Sequence, residues 1–325
     1  MRYIHHPQTD PAFNLAAEEW LLRNTDQDIF MLWRNHRAVI VGRNQNTAAE
    51  IDEAYVREHD ITVIRRMTGG GAVFHDLGNV NFSFIQLGSQ SRHLDFHRFT
   101  APILEALRAM GVDCRFEGRN DLTIDGLKFS GNAQLIEKDR VLHHGTLLFS
   151  AQMADLSGAL KANPLKFEDK AVKSVKKRVT NISSHLPEPM DVETFIARVM
   201  DHVSGGAPGH ALGLRPDEEA GIRELVRTKY GTWDWNFGAS PDYGIAQCRK
   251  TAGGLVEIHL DVHQGRIRRA RIFGDFFGVR PVAELEALLA GRRHERADIE
   301  AALEGVSVGE FIRDVDSGTF IDCLF

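Results

Sequence analysis

Short runs of β-forming residues alternate with Gly-rich turns from Met1 to about His185, and near Pro187 the texture changes to helices followed by a small separate unit. Ala38–Val41 and Ile61–Ile64 read as buried strands, and Val80–Ile85 alternates with Val80, Phe82 and Phe84 on one face. Leu122–Ile124 and Leu127–Phe129 flank Asp125-Gly126, a dipeptide suited to a two-residue hairpin turn. Gln134–Ile136 and Val141–Phe149 read as a second strand pair around Glu137–Arg140. Two helices lie among these strands. Asp10 caps the first and Pro11 opens it, with Phe13, Ala16, Ala17, Trp20 and Leu21 at helical spacing. The second runs from Phe96 to Met110, where Gly111 stops it. This interleaving predicts an α/β (α+β) chain of mixed sheets packed by helices.

The remainder predicts a second domain. Asp191 caps a helix through Val203, Ser204–Gly213 is a loop, and Pro216 opens a helix ending near Tyr230. Thr232–Tyr243, with Gly238 and Pro241, reads as a connector. Beyond it Leu255–Val262, the turn Gln264-Gly265 and Arg266–Phe273 form a hairpin, followed by short helices near Pro281–Ala290, Arg296–Leu303 and Ser307–Val315. The expected domains are therefore 1–243 and a small α+β unit, 244–325. A length of 325 residues accommodates both.

Composition excludes several function classes. No apolar run reaches the length of a membrane span, and Met1–Asp10 lacks a charged-then-apolar leader, so a cytoplasmic location is expected. Cys114, Cys248 and Cys323 are scattered without CxxC spacing, which argues against a disulfide framework and a Cys-based zinc site. A net charge of −6 argues against wholesale nucleic-acid binding.

Four segments can carry chemistry. Three glycines, Gly69, Gly70 and Gly71, follow a strand that ends in Arg65-Arg66. Bare backbone N–H groups can approach an anion closely, with Arg66 supplying charge, although a lone Gly-rich loop is as often a tight surface turn. The loop has neither the Gly-Lys-Ser/Thr of a P-loop nor a third glycine at Phe74 for a dinucleotide fingerprint. Lys128 faces opposite to Leu127 and Phe129 on a strand, either on a solvated face or partly desolvated in a site. Asp121, just before this hairpin, suits a phosphate-bridging metal ion or an Asx-turn. His143 and His144 point to opposite faces of a strand and chelate poorly, so one is expected to line a cavity and the other to be exposed. Lys161–Arg178 holds seven Lys/Arg against two Asp/Glu, which fits a solvated face or a mobile basic loop equally.

Arg65-Arg-Met-Thr-Gly-Gly-Gly-Ala-Val-Phe-His-Asp-Leu-Gly-Asn79, Asp125-Gly-Leu-Lys-Phe-Ser-Gly-Asn-Ala-Gln134 and His144-Gly-Thr-Leu-Leu-Phe149 together resemble the lipoate-protein ligase A family. Asn14-Leu-Ala-Ala-Glu-Glu19, Lys177-Arg-Val-Thr-Asn-Ile182, Trp233-Asp-Trp-Asn-Phe-Gly238 and Gly253–Val262 extend the resemblance over nearly the whole chain. It implies a biotin-ligase-like catalytic domain that activates lipoate with ATP and Mg²⁺ to lipoyl-AMP. It implies transfer of the lipoyl group to a Lys of lipoyl domains, in 2-oxoacid dehydrogenase acyltransferase subunits and the glycine-cleavage H protein. By similarity, ATP contacts fall on Arg66, Gly70, Gly71, Ala72, Val73, Phe74 and Lys128. Lys128 is the expected catalytic residue and lipoate contact, Asp121 the expected Mg²⁺ ligand. Leu15, Trp33, Val73, His75 and His144 are expected to line the lipoate slot, and the protein is expected to act as a monomer. The competing expectation is an ATP-independent octanoyl/lipoyl transferase of the same fold, which needs a nucleophilic Cys; none lies between His144 and Arg178.

Overall fold

A computed structural model of the chain describes residues 1–45, 47–88, 93–152, 158–160, 179–206, 213–237, 245–263, 266–292 and 296–324. The strands, in chain order, are β1 (Arg2–His5), β2 (Ile29–Arg34), β3 (Ala38–Val41), β4 (Thr62–Arg65), β5 (Val73–His75), β6 (Asn79–Gln86), β7 (Arg115–Glu117), β8 (Asp121–Ile124), β9 (Leu127–Glu137), β10 (Arg140–Leu148), β11 (Ile245–Thr251), β12 (Gly254–His263) and β13 (Arg266–Gly274). Seven of them form one sheet in the order β1-β2-β6-β10-β9-β8-β7, parallel between β1 and β2 and antiparallel elsewhere. A small sheet, β4-β3-β5, lies apart from it, and β11-β12-β13 belongs to the C-terminal unit.

The alternation in β6 sets the layers. Val80, Phe82 and Phe84 pack with Ile103, Leu107, Phe195 and Val199 of the helices Phe96–Ala109 and Val192–Ser204. On the other face Ile85 joins Met31, Leu142 and the helix Pro11–Asn24. Each such buried side chain contributes roughly 1.5–3 kcal/mol. Asp10 caps that first helix by accepting the Ala12 N–H at 3.0 Å. The helix is clamped between the large sheet and Ile40 and Ile64 of the small one, so even Glu18 and Glu19 are buried. Buried carboxylates must find donors, and this requirement organises the site below. The far face of the small sheet closes over Val39, Val41, Val63 and Phe74.

The C-terminal unit has its own core, which joins Val256, Ile258 and Leu260 to Leu285, Ile312 and Phe320. It docks through Gly274 N–H to the Asn44 carbonyl (2.6 Å), Gly70 N–H to the Phe276 carbonyl (3.2 Å) and an edge-to-face contact of Phe96 with Phe277. No described helix is long and apolar enough to cross a membrane.

Local structure departs from the sequence reading in several places: β1, β2, β5, β7 and the helices Thr47–Glu50 and Glu53–Glu58 were not expected, and three further differences have a physical reason. β9 runs unbroken from Leu127 to Glu137, because Gly131 pairs with Asp121 in the ladder instead of interrupting it. β11 was not expected; its Gln247, Cys248, Arg249 and Lys250 are too polar to signal a strand, and it sits at a sheet edge. Ser307–Val315 holds only the 3₁₀ turn Val308–Glu310, and the last helix is Ser317–Asp322, capped by Asp316 accepting the Thr319 N–H at 2.7 Å. Residues 161–178, 207–212, 264–265 and 238–244, with the expected boundary at 243/244, lie outside the described residues.

Candidate active site

One cavity of about 300 Å³ gathers most of the residues singled out from sequence. Gly70, Gly71, Ala72 and Val73 form one wall, and Leu15, Trp33, His75 and His144 form a second. Arg66, Asp121 and Lys128 also line it. Phe74 does not: its backbone pairs with Val39 in the small sheet, and its ring packs on the far face with Val41 and Val63. Asp275 and Phe277 of the C-terminal unit and Arg119 complete the mouth. The Arg119 guanidinium stacks 5.0 Å from the centre of the Phe277 ring and donates to the Gly253 carbonyl.

Lys128 projects from β9 into the cavity while Phe129 points into the core, as the strand period requires. Its Nζ lies 2.7 Å from Asp121 Oδ1, and both side chains are 38% exposed. Its carbonyl accepts the Thr180 N–H at 2.9 Å. Gly131 leaves room for the ammonium, since a Cβ there would stand 3.0 Å from Nζ.

The glycine loop is shaped from both sides. Gly70 has φ +94°, which favours glycine, and a Cβ on Gly69 would come within 2.4 Å of the Phe276 carbonyl oxygen. Arg66, expected to offer its charge to an anion, is buried and spends its guanidinium on the chain itself. It donates to the carbonyls of Gly69 (2.7 Å), Gly71 (2.8 Å) and Ile40 (3.1 Å), and through Nε to Thr68 Oγ1 (3.0 Å). Burial brings its pKa down to about 10, so it stays charged at neutral pH. Loss of water leaves the guanidinium needing acceptors, and nearby loop carbonyls supply them.

The second wall is held by Glu18, which sequence reading left without a role. Trp33 Nε1–H donates to Ser83 Oγ at 2.8 Å, and the Ser83 hydroxyl donates to Glu18 Oε1 at 2.6 Å. His144 Nδ1 lies 2.9 and 3.0 Å from the two Glu18 oxygens, and its Nε2 lies 2.8 Å from Thr68 Oγ1. His75 is held by Asn35 at 3.1 Å; desolvation, then the charges of Arg66 and His144, lower its pKa to about 3, so it is a neutral wall. The histidine pair corrects one expectation. His144 lines the cavity, but His143 is fully buried, stacked against Phe82 and Phe99, because β10 is a central strand covered on both faces. Among the described residues no three His, Cys, Asp or Glu are placed to hold a metal by themselves.

Residues 10–204 match the lipoyl protein ligase A/B catalytic domain family, and residues 240–324 match the bacterial lipoate protein ligase C-terminus. The chain belongs to the lipoyl protein ligase A/B family. It is 39% identical over 323 residues to lipoate-protein ligase LplJ of Bacillus subtilis, covering 97% of each chain. Its fold is that of P. falciparum LipL1, solved in complex with lipoate, with a TM-score of 0.80 at 24% identity over 99% of this chain and 97% of the other. A bi-partite lipoate protein ligase of Thermoplasma acidophilum, described with its E2 lipoyl domain, aligns at TM-score 0.65 and 29% identity, over 75% of this chain and 98% of that one. A lipoate-protein ligase A bound with ATP aligns at 0.62 and 27%, over 73% and 98%. Within this family, the signals that were missed are Glu18, in the Asn14–Glu19 motif, and Asp275 and Phe277, for which no local pattern exists.

Proposed function

We propose that this member of the lipoyl protein ligase A/B family is an ATP-dependent lipoate–protein ligase. It joins lipoate to AMP with release of pyrophosphate, then passes the lipoyl group to a Lys of a lipoyl domain. The observation that carries this reading is Lys128, whose ammonium shares one cavity with the glycine loop and the mostly apolar wall of Leu15, Trp33, Val73 and His75. The structures of similar ligases bound with ATP or with lipoic acid, and the archaeal ligase described with its E2 lipoyl domain, support it.

The chemistry follows from charge. A carboxylate must approach the α-phosphorus, and two unit charges ~4 Å apart repel by ~4 kcal/mol at an effective dielectric near 20. Lys128 between them offsets that repulsion and stabilises the charge that grows on the phosphoryl oxygens. The carboxylate oxygen forms the P–O bond as the bond to pyrophosphate breaks. In the second step the acceptor amine attacks the acyl carbonyl, the C–O bond to AMP breaks, and Lys128 faces the transient oxyanion. Asp121 and Asp275 both face the cavity, which fits Mg²⁺, a cation that takes one or two carboxylates and completes its shell with phosphates. When bound, Mg²⁺ would draw negative charge from the leaving pyrophosphate. Domains 1–243 and 244–325, acceptors of the 2-oxoacid dehydrogenase and glycine-cleavage type, and a cytoplasmic setting complete the reading.

Pyrophosphate release that requires lipoate and Mg²⁺ together, with lipoyl-AMP seen by mass spectrometry, tests the proposal; release without lipoate would remove it. The slot gains about 3 kcal/mol from lipoate's four methylenes at ~0.8 kcal/mol each. An apolar slot rejects a similar chain weakly, so octanoate should be activated too, and complete refusal of octanoate would contradict the slot as described. Thiol-blocking reagents should leave adenylation intact, since no Cys is among the described residues lining the cavity. Cys114 and Cys323 are buried, and burial raises both thiols, Cys114 to about 11. Inactivation by thiol blockade would instead favour the Cys-dependent transferase.

A further inference from the structure

We propose that Glu18 is a positioning residue that ties the acyl slot to the glycine loop, so that acyl acid and nucleotide bind with positive coupling. The inference rests on the ligase reading and adds a residue and a property to it. Glu18 is 2% exposed, in the middle of the first helix. An ionised carboxylate only accepts hydrogen bonds. The His144 Nδ1 facing it therefore carries the proton, and Nε2 presents a lone pair. The Thr68 hydroxyl donates to that lone pair, and its own oxygen accepts from Arg66 Nε–H. Arg66 in turn grips the carbonyls of Gly69 and Gly71.

On the other side, Trp33 Nε1–H can only donate, so Ser83 must turn its hydroxyl proton toward Glu18. From both ends, Trp33 on one side and Arg66 on the other, every donor points toward Glu18. No member can reverse without leaving a buried polar group unpaired. Trp33, through Ser83, and His144, directly, both end on Glu18, and His144 is two hydrogen bonds from the side chain that sets the glycine loop. An acyl chain that presses the slot into its bound shape also sets Thr68 and Arg66, and with them the loop that meets the phosphates. Glu19, the adjacent acid, is committed elsewhere, to Arg23, Lys229 and Tyr230.

The test is calorimetric titration of lipoate with and without a non-hydrolysable ATP analogue. Wild type should bind lipoate about tenfold tighter when the analogue is present. Thr68→Val keeps the shape and deletes the hydroxyl, so the coupling should fall to near unity, and Thr68→Ser should restore it. Glu18→Gln should raise the KM for lipoate and lower kcat together. Nitrogen-15 spectra of wild type, which need no variant to fold, should show His144 protonated at Nδ1 and not at Nε2. An Nε2–H tautomer, or coupling unchanged in Thr68→Val, would overturn the proposal. Wild type binding both ligands independently would overturn this inference alone, whereas wild type binding neither would overturn the ligase reading beneath it.

Discussion

Replacing Lys128 by alanine should lower kcat/KM for adenylate formation by about a thousandfold or more while the protein keeps its fold. The two halves of this result have separate physical sources. The activity loss follows from removing the ammonium that faces both anionic reactants in the proposed chemistry. The stability is retained because the Lys128–Asp121 pair is over a third exposed on each side, and solvent screens such pairs to about 0–1 kcal/mol. The contact that ties Lys128 to Thr180 uses its main-chain carbonyl and survives truncation. Melting temperature should move by about two degrees or less. Gly131→Ala supplies the complementary case. A Cβ there would meet Nζ at 3.0 Å, and the flexible end of the lysine would yield, moving the ammonium without touching the core. Adenylation should fall by about tenfold or more in that variant, again with little change in melting. A Lys128→Ala enzyme with near-normal pyrophosphate release would remove the centre of the proposed mechanism.

What was legible in the sequence was what local chemistry decides. Asp10 and Pro11 open a helix, and Asp125 (φ +50°), Gly126 (φ +74°) and Gly111 (φ +86°) stand in the left-handed conformations that such turns and stops require. The two-residue period placed Lys128 on the face opposite Phe129, and His144 on the face opposite His143, as the structure has them. That period could not say what lay beyond each face. Burial of His143 depends on β10 lying between β6 and β9 and on Phe96 and Phe99 arriving from a helix. The roles of Arg66 and Glu18 were hidden for the same reason. The partners of Glu18, Ser83 and His144, are 65 and 126 residues away. The carbonyls that hold Arg66 include Ile40, 26 residues back. A charged residue beside glycines signals an anion site and a loop brace equally, and Arg66 braces the loop while it also lines the cavity. Asp275 and Phe277 reach the cavity from another domain, through a docking geometry for which no periodicity speaks.

Lowering the pH from 7 to about 4 should remove a large part of the folding stability, chiefly through buried histidines. His6 and His143 have both ring nitrogens buried without a hydrogen-bond partner, and His75 has one. Burial holds His6 at about 4, with His5 adding to the shift, and His75 at about 3, with Arg66 and His144 adding. It holds His143 well below its usual range, His144 again adding. The unfolded chain binds these protons below about pH 6.5, whereas the folded chain refuses them until far lower. The unfolded state therefore carries more protons throughout this window. Stability is full above about 6.5 and falls as the pH drops toward the folded values. His6 and His75 would each remove about 3 kcal/mol by pH 4, against a total of roughly 5–15 kcal/mol for an ordinary domain. Glu286 acts in the opposite sense, because burial raises its carboxyl pKa and favours the folded state in acid, but it is one group against the three histidines, with His5, Asp191, Glu218, Glu224 and Asp316, all held low, on their side. Urea titrations between pH 8 and 4 should show a plateau above 7 and a steep decline below 6.5. His6→Phe, which keeps an aromatic ring beside Phe13 (centroids 5.9 Å apart), should make that decline shallower by roughly the share of one histidine. A stability that stays level down to pH 4.5 would show that these rings gain solvent or partners when the protein is in water, and would refute the account of their burial.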